Sequence, residues 1–276
     1  FTTNFICGNY EDEKIINEFI GKVDLTTFEF ENIPYKVLKN INENKTVLPK
    51  PEINKLVQNR YTEKDFLNKS DIRTTRYTLI KDEDDIKINK NLIPGILKTC
   101  TLGYDGKGQY KINSIKDISN LKIDFSNKYI LEKIIKLKKE ISIIVTRFKN
   151  NNTQIYEPIE NVHQDQILIN SKIPAEIDQI TYDQSILWAK NISEKLNFIG
   201  TLCIEFFIDD NNVLYVNEIA PRVHNSGHLT INAYNVSQFE NHVRAVCQLE
   251  KIELTKISNA KMINILGEEI IKYRNK

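Results

Sequence analysis

The chain has 276 residues, which is enough for two domains or for one large domain with a real core. Its 38 lysines and arginines balance 37 aspartates and glutamates, so no overall charge favours nucleic acid or an acidic membrane surface as a partner. The four cysteines form no C-x-x-C pair, and no apolar stretch approaches the roughly 20 residues needed to cross a bilayer. This composition predicts a cytoplasmic protein without a disulfide framework, a structural zinc site or a membrane span.

The N-terminal part of the sequence has the pattern of an α/β unit. Apolar residues at helical spacing predict a helix over residues 11–20, with Gly21 as a natural stop, and residues 23–30 are typical of a strand. Prolines at positions 49 and 51 interrupt both periodicities. We therefore expect a first segment that ends near residue 52.

A single helix is predicted over residues 56–69. Arg60 and Lys64 are four residues apart and lie on one face of that helix, where like charges mildly repel. A nearby anion would make this pair favourable, and two solvated cations are the alternative.

A glycine-rich segment over residues 103–109 follows a short, partly apolar run that carries Lys98. It contains three of the nine glycines, and glycine lets backbone amides approach a ligand closely. Such amides with a lysine suit a phosphate. The segment matches neither G-x-x-x-x-G-K-[ST] nor G-x-G-x-x-G, and a plain hairpin turn is the alternative.

Strands are predicted over residues 129–133 and 141–148, and a helix over residues 182–197. A β-hairpin is then predicted from strand-like runs at 201–208 and 213–218, which flank an Asp-Asp-Asn-Asn turn. With an even-length loop, Glu205 lies opposite Val216, and Glu218 is its diagonal neighbour about 7–8 Å away.

The face of the hairpin that carries Glu205 would also carry Cys203, Phe207, Leu214 and Val216. Two half-buried carboxylates on such a face would repel unless a cation sits between them. Oxygen ligands in small number suggest magnesium, which shares its shell with water and nucleotide phosphates. Two ordinary glutamates on a solvated face are the alternative.

The loop over residues 220–228 is rich in side chains that can hold an anionic oxygen. His224 and His228 are four residues apart, but the preceding proline and the Asn-Ser-Gly between them favour a loop, and no third ligand lies nearby. Arginine, histidine, asparagine and serine suit an anion better than zinc. A capping box at residues 237–240 then begins a helix that runs to about residue 249.

These parts together are typical of a Mg-nucleotide site outside the P-loop class. The string VNEIAPRVHNSGH over residues 216–228 resembles the signature of the N5-carboxyaminoimidazole ribonucleotide synthases, an ATP-grasp family of purine synthesis. Other segments resemble the same family in the same order and extend the likeness over essentially the whole chain. They are DLTTFEFENIP at 24–34, QNR at 58–60 with EK at 63–64, GYDGKGQ at 103–109, HQD at 163–165 and SQFENHVR at 237–244.

The resemblance implies an α+β and α/β architecture of the ATP-grasp type, with ATP between two lobes. It implies a partial, Rossmann-like pre-ATP-grasp segment over 1–52, a small lobe over 53–131 and a large lobe over 132–276. The implied reaction uses ATP and bicarbonate to carboxylate the exocyclic amine of aminoimidazole ribonucleotide through carboxyphosphate. It also implies that the chain forms a homodimer. Its binding partners would be aminoimidazole ribonucleotide and bicarbonate, and it would bind neither nucleic acid nor a membrane.

Matching the motifs residue by residue implies a site. Nucleotide contacts fall on Arg60, Lys98, Gly103, Tyr104, Asp105, Gly106, Lys107, Gly108, Gln109, Glu132, Lys133, Ile134, Ile135, Glu140, His163, Asn217 and Glu218. Magnesium would be held by Glu205 and Glu218. Tyr104, Asp105 and Lys107 would approach the aminoimidazole nucleotide. The residues that would meet bicarbonate, carboxyphosphate or the substrate are Arg222, His224, Asn225 and Ser226. The implied catalytic residues are Asp105, Lys107, Arg222, His224 and Asn225.

Several features of the sequence depart from the expected pattern. Strict alternation puts Asn217 on the face opposite Glu218, so the strand must end or twist there if both residues serve one site. The family's opening glycine-rich turn and closing β-rich region do not appear between Phe1 and Lys276, and Leu102 replaces one glycine of an expected pair. We therefore expect a fragment or a truncated chain. A sibling ATP-grasp ligase and a non-catalytic nucleotide-binding remnant stay open as alternatives.

Overall fold

The computed structural model of the chain describes residues 4–101, 108–118, 121, 123–267 and 269–274. The first unit contains two helices and a two-stranded parallel sheet. Its elements are α1 (Glu13–Lys22), β1 (Leu25–Thr26), α2 (Tyr35–Asn44) and β2 (Thr46–Val47). Asp12 caps α1 by accepting from the backbone amides of Lys14 and Ile15.

The strand predicted over residues 23–30 is wrong beyond Leu25–Thr26. Within the described residues, only the two-residue strand β2 pairs with it, so the ladder cannot continue. Phe28 instead turns into the small apolar core formed with Leu38, Ile41 and Val47. The segment after β1 therefore leaves the two-stranded sheet after Thr26.

A four-stranded antiparallel sheet forms the second unit. Its elements are α3 (Pro51–Val57), α4 (Arg60–Lys69), β3 (Tyr77–Ile80), α5 (Glu83–Ile88), β4 (Gly95–Thr99), β5 (Gln109–Ile112), α6 (Ile115–Ile118) and β6 (Tyr129–Lys133). The strand order is β3-β6-β4-β5. Leu97, Ile112 and Leu131 pack with Ile86 of α5 and Ile118 of α6 on one face. Because side chains alternate along a strand, Lys98 and Glu132 lie on the other face.

The single helix predicted over residues 56–69 is two helices. Asn59 has extended backbone angles, and its side chain accepts from the amides of Tyr61 and Thr62, so it starts α4 as a new helix. The break turns α4 relative to α3. It places Glu63 and Lys64 in the interior, where both side chains are buried.

A seven-stranded sheet forms the third unit. Its elements are β7 (Leu137–Arg147), β8 (Thr153–Ile155), β9 (Ile159–Gln164), β10 (Ile167–Ile173), α7 (Gln179–Lys195), β11 (Gly200–Asp209), β12 (Leu214–Ala220), a 3-10 turn (Asn225–Leu229), α8 (Thr230–Ala233), α9 (Gln238–Val246), β13 (Ala260–Ile263) and α10 (Glu269–Arg274). The order is β12-β11-β7-β9-β10-β13, with β8 also paired to β7. Helix α7 covers one face over a core that includes Ile192, Ile204 and Phe206.

The predicted helices in this third unit are confirmed with small shifts. Helix α7 begins three residues before the predicted helix because Asp178 accepts from the amide of Thr181. Ser237 accepts from the amide of Glu240 at 3.2 Å, as the capping box requires. None of the described helices is long and apolar enough to span a membrane.

Candidate active site

A cavity of about 1240 Å³ lies between the four-stranded and the seven-stranded sheets. It collects residues that the sequence placed far apart. The predicted residues that line it are Arg60, Lys98, Gln109, Glu132, Lys133, Ile134, Ile135, Glu140, His163, Glu205, Asn217, Glu218, Arg222, His224 and Asn225. Ser226 is buried directly behind them.

The glycine-rich segment contributes only its end to this description. Gly103, Tyr104, Asp105, Gly106 and Lys107 lie outside the described residues. Gly108 is outside the cavity lining, has a φ of +72° and packs against Thr99, where an added Cβ would come within 2.8 Å of the hydroxyl. Gln109 begins β5 and reaches the cavity wall.

A β-bulge on β12 brings the two predicted metal carboxylates face to face. Glu205 pairs with Glu218, but the next residue of β11, Phe206, pairs with Val216, so Asn217 is an extra residue in β12. The predicted pairing of Glu205 with Val216 is therefore wrong. A bulge sets two residues against one and bends its strand. It turns Asn217 and Glu218 together into the cavity, although strict alternation would separate them.

The same bulge moves the apolar residues before it to the opposite face. Leu214 and Val216 pack with Phe206 and Ile208 in the core beneath α7, and not beside Glu205 as predicted. Cys203 and Phe207 keep the predicted parity with Glu205 along β11. One inserted residue thus separates the apolar and the acidic parts of the hairpin.

Helix α4 holds the bulged backbone on both sides of Glu218. The Lys64 ammonium lies 3.4 Å from the carbonyl oxygen of Asn217, and the Ile219 amide donates to the Glu63 carboxylate at 2.6 Å. Strand β12 is outermost in its sheet, so these contacts satisfy backbone groups that its ladder leaves over. Glu63 and Lys64 were missed as site residues, and the alternative of a solvated Lys64 is wrong because its side chain is 2% exposed.

The acidic wall of the cavity, formed by Glu63, Glu205 and Glu218, holds carboxyl groups that would repel one another if all were ionised. Burial and the charge of Glu218 raise the pKa of Glu205 to about 8, although His163 opposes the shift. Burial and Glu218 likewise raise the pKa of Glu63 to about 8. A cation between Glu205 and Glu218 would remove this repulsion.

The opposite wall contains a carboxylate that the protein itself neutralises. Glu132 lies 3.2 Å from the Lys98 ammonium and 3.5 Å from that of Lys64, and it accepts from the Thr75 hydroxyl at 3.1 Å. Burial alone would raise the pKa of Glu132, but the two ammonium groups outweigh it and lower the pKa to about 2. Glu132 is therefore ionised and holds Lys98 in the cavity wall.

His163 and Glu140 form a pair at the rim of the acidic wall. His163 Nδ1 lies 2.7 Å from Glu140 Oε2, and this hydrogen bond raises the pKa of His163. The strands β7 and β9 that carry them are neighbours in the sheet. The pair therefore has a fixed position beside the segment 133–135 that connects the two sheets.

The loop after β12 closes the far end of the cavity. Arg222 donates to Glu31 of the N-terminal unit at 2.8 Å, and His224 Nε2 lies 3.2 Å from Glu205 Oε1. Burial lowers the pKa of His224 to about 3, so its ring is neutral. His228 turns away toward Phe239, with ring centroids 5.5 Å apart, so the two histidines do not share one ligand. Glu31 was not singled out in the sequence, because only its position in the fold brings it to Arg222.

The fold and this cavity define the class of protein. Residues 65–239 match the ATP-grasp domain family, and residues 1–58 match the ribonucleotide synthetase preATP-grasp domain family. The chain is an ATP-grasp enzyme, which confirms the predicted fold class.

Similar curated proteins from different bacteria carry one name. An N5-carboxyaminoimidazole ribonucleotide synthase of Staphylococcus aureus (strain MRSA252) is 40% identical over 98% of this chain and 73% of that protein. The enzyme of the same name from Bacillus subtilis (strain 168) is 33% identical over 96% and 70%. The chain belongs to the N5-carboxyaminoimidazole ribonucleotide synthase family.

Solved structures agree with this assignment. The crystal structure of N5-carboxyaminoimidazole synthetase from Staphylococcus aureus complexed with ADP is similar, with a TM-score of 0.90 and 38% identity. The likeness covers 98% of this chain and 73% of that one. An ADP complex of an N5-carboxyaminoimidazole ribonucleotide synthetase gives a TM-score of 0.91 at 35% identity, over 97% and 73% of the two chains.

Proposed function

We propose that the chain uses ATP and bicarbonate to carboxylate the exocyclic amine of 5-aminoimidazole ribonucleotide, which gives N5-carboxyaminoimidazole ribonucleotide. The observation that carries the proposal is the position of Glu205 and Glu218, opposite each other in the cavity that also holds Lys98. Two facing carboxylates and a lysine are what a nucleotide with a divalent cation requires. Family membership selects the substrates.

The acidic wall fits magnesium. Glu205 and Glu218 offer only oxygen donors, and Asn217 hydrogen bonds to Glu205 beside them. The described residues hold no group of three or more His, Cys, Asp or Glu side chains arranged for a metal, so the remaining ligands would be water and phosphate oxygens. When bound, magnesium would neutralise charge that develops on the transferred phosphoryl group.

The nucleotide would lie along the opposite wall. Lys98 is fixed by Glu132 and, with Arg60, would hold phosphate oxygens. The apolar side chains of Ile96 and Ile134 line the cavity and suit a base, and Glu140 can accept from sugar hydroxyls. The residues of the glycine-rich segment, Gly103 to Gln109, keep their predicted role at the phosphates.

The reaction needs two successive attacks. A bicarbonate oxygen would form a bond to the γ-phosphorus as the bond to ADP breaks. The amine would then attack the carboxyl carbon of carboxyphosphate, with loss of phosphate and of one amine proton. Arg222 and Asn225 line the end of the cavity where these anions would sit, and Glu31 orients the Arg222 guanidinium. Tyr104, Asp105 and Lys107 stay predicted neighbours of the ribonucleotide.

Replacing Glu218 with glutamine tests the proposal. We expect the variant to lose ADP formation because it loses one of two charges at the cation, while its circular dichroism and thermal midpoint stay as in the parent. Glu250→Gln, at an exposed position, is the matched control and keeps full activity. Unchanged turnover in Glu218→Gln would contradict the assignment.

The substrate is tested by measuring ADP release with and without aminoimidazole ribonucleotide. We expect release to depend on it, whereas a sibling ATP-grasp ligase would ignore it. A homodimer in the cytoplasm and the segment boundaries at 52 and 131 stay predictions of the family resemblance, and sedimentation velocity would test the dimer.

A further inference from the structure

A row of buried polar side chains crosses the seven-stranded sheet and ends at Glu205. Ser142 lies on β7, Asn161 on β9 and Ser171 on β10, and each is at most 5% exposed. They sit among the apolar residues Ile144 and Ile159 on the same face of the sheet. Polar groups in such a place are costly unless hydrogen bonds satisfy them, and the proposed reaction uses none of the three.

The hydrogen bonds along this row have one direction. The Ser171 hydroxyl donates to the Asn161 carbonyl oxygen at 2.7 Å, and the Asn161 amide donates to Ser142 at 2.9 Å. Ser142 then has its own proton left to donate, and it donates to Ser226 at 2.8 Å. Ser226, which accepts from Ser142, keeps its own proton and can donate it to His224 Nδ1, 2.8 Å away.

This direction determines where the His224 ring carries its proton. The Ser226 backbone amide, which can only donate, points to Nδ1 at 3.3 Å, so Nδ1 is an acceptor, and the Ser226 hydroxyl can donate to it as well. A neutral ring with Nδ1 as an acceptor carries its hydrogen on Nε2. Nε2 is the atom that lies 3.2 Å from Glu205 Oε1. A bare Nε2 could instead accept from a protonated Glu205, but then a proton on Nδ1 would face the Ser226 backbone N–H, which cannot accept it.

We propose that Ser171, Asn161, Ser142 and Ser226 form a positioning chain that fixes His224 as the Nε2–H tautomer, so that His224 holds one oxygen of Glu205 and the other would be left for a bound cation. The part played by Glu205 rests on the proposed function. His224 thereby acts on the cation site through Glu205. Hydrogen-bonded partners behind a ligand orient it and tune its affinity.

The tautomer is measured directly by ¹⁵N–¹H correlation of the histidine rings in the ligand-free protein. The chain has four histidines, so the His224 signals are assigned by one substitution of each of the others. We expect a protonated Nε2 and an unprotonated Nδ1. A wild-type ring protonated on Nδ1 would overturn the proposal, whether or not the protein proves to be a ligase.

Asn161→Asp is the sharpest variant because it keeps the shape of the side chain and removes its donor. At a pH where the introduced carboxyl group is ionised it can only accept, so Ser142 would donate to it, the row would reverse, and the population of the Nδ1–H form would rise. Ser142→Ala interrupts the row and is the second variant if Asn161→Asp fails to fold. Ser193→Ala, a buried serine that donates within α7, is the matched control and leaves the His224 signals unchanged.

Magnesium dependence gives the functional readout. In Ser142→Ala we expect the magnesium concentration for half-maximal ADP formation to rise about tenfold, with little change in kcat at saturating magnesium. Ser193→Ala would keep the parent value. Tautomer populations that stay at the wild-type value in both Asn161→Asp and Ser142→Ala would refute the positioning chain. Inactivity of the parent enzyme with an Nε2–H ring would instead refute only the proposed function.

Discussion

Glu132 and Glu205 are two buried carboxylates on opposite walls of one cavity, and their pKa values shift in opposite directions. Burial acts on both. Beside Glu132 the chain supplies two ammonium groups, which lower its pKa to about 2, whereas beside Glu205 it supplies Glu218, which helps raise the pKa to about 8. Burial alone therefore does not decide the charge of a site; the groups that the fold brings beside it do. The Glu132 wall is balanced by the chain's own ammonium groups, whereas under the proposed function the Glu205 wall would be balanced by a bound cation.

Substitution of Lys64 by methionine removes one of the two ammonium groups beside Glu132. We expect it to lower the stability of the fold more than any other substitution proposed here. It leaves Glu132 buried with one ammonium group and removes the contact to the bulged strand. Breaking a buried pair from one side typically costs about 3–5 kcal/mol, measured here as the free energy of unfolding in urea. Lys69→Met, at an exposed lysine paired with Asp65, is the control and should show no measurable change. A loss below about 1 kcal/mol in Lys64→Met would show that Glu132 does not depend on Lys64.

Glu63→Gln tests the acidic wall through the pH dependence of the free energy of unfolding, compared between the wild type and the variant. The pKa of Glu63 rises in the folded chain from 4.5 to about 8, so between these values the unfolded chain releases a proton that the folded chain keeps. The wild type therefore loses stability as pH rises through this window, and a glutamine, which can still accept from Ile219, does not. We expect the variant to gain roughly 2–3 kcal/mol relative to the wild type between about pH 5 and pH 7. A difference that is independent of pH would show that folding does not raise the pKa of Glu63.

The sequence predicted the residues of the acidic wall but not the register between β11 and β12 that brings them together. The hairpin, its turn and both glutamates follow from local pattern, and so do the polar loop and the capped helix behind them. The bulge at Asn217 does not, because it depends on Glu63 and Lys64, which lie more than 150 residues earlier in the chain. The local sequence pattern does not show which distant residues come into contact. The prediction of Val216 opposite Glu205 therefore rested on alternation along the strand alone.

The same limit explains the errors on the Glu132 wall and in the N-terminal unit. The pair Arg60 and Lys64 looks solvated in sequence, since nothing local indicates that Asn59 starts a new helix and turns Lys64 toward Glu132. The strand over residues 23–30 has suitable composition, but its length is set by the two-residue partner β2. The row through Ser142, Asn161 and Ser171 left only a weak signal, single polar residues within apolar strands.

Proton release on ligand binding tests most directly the claim that Glu205 and Glu218 require an external cation. Calorimetric titration of the protein with magnesium and ADP at pH 7, in buffers of different ionisation enthalpy, measures the protons that leave. With its pKa near 8, Glu205 is mostly protonated before binding and must ionise to hold a metal, so we expect release of about one proton per site. Glu205→Gln should release about one proton fewer than the wild type, because Glu63 is still present beside Glu218. Equal proton release by the two proteins, or none from the wild type, would contradict the account.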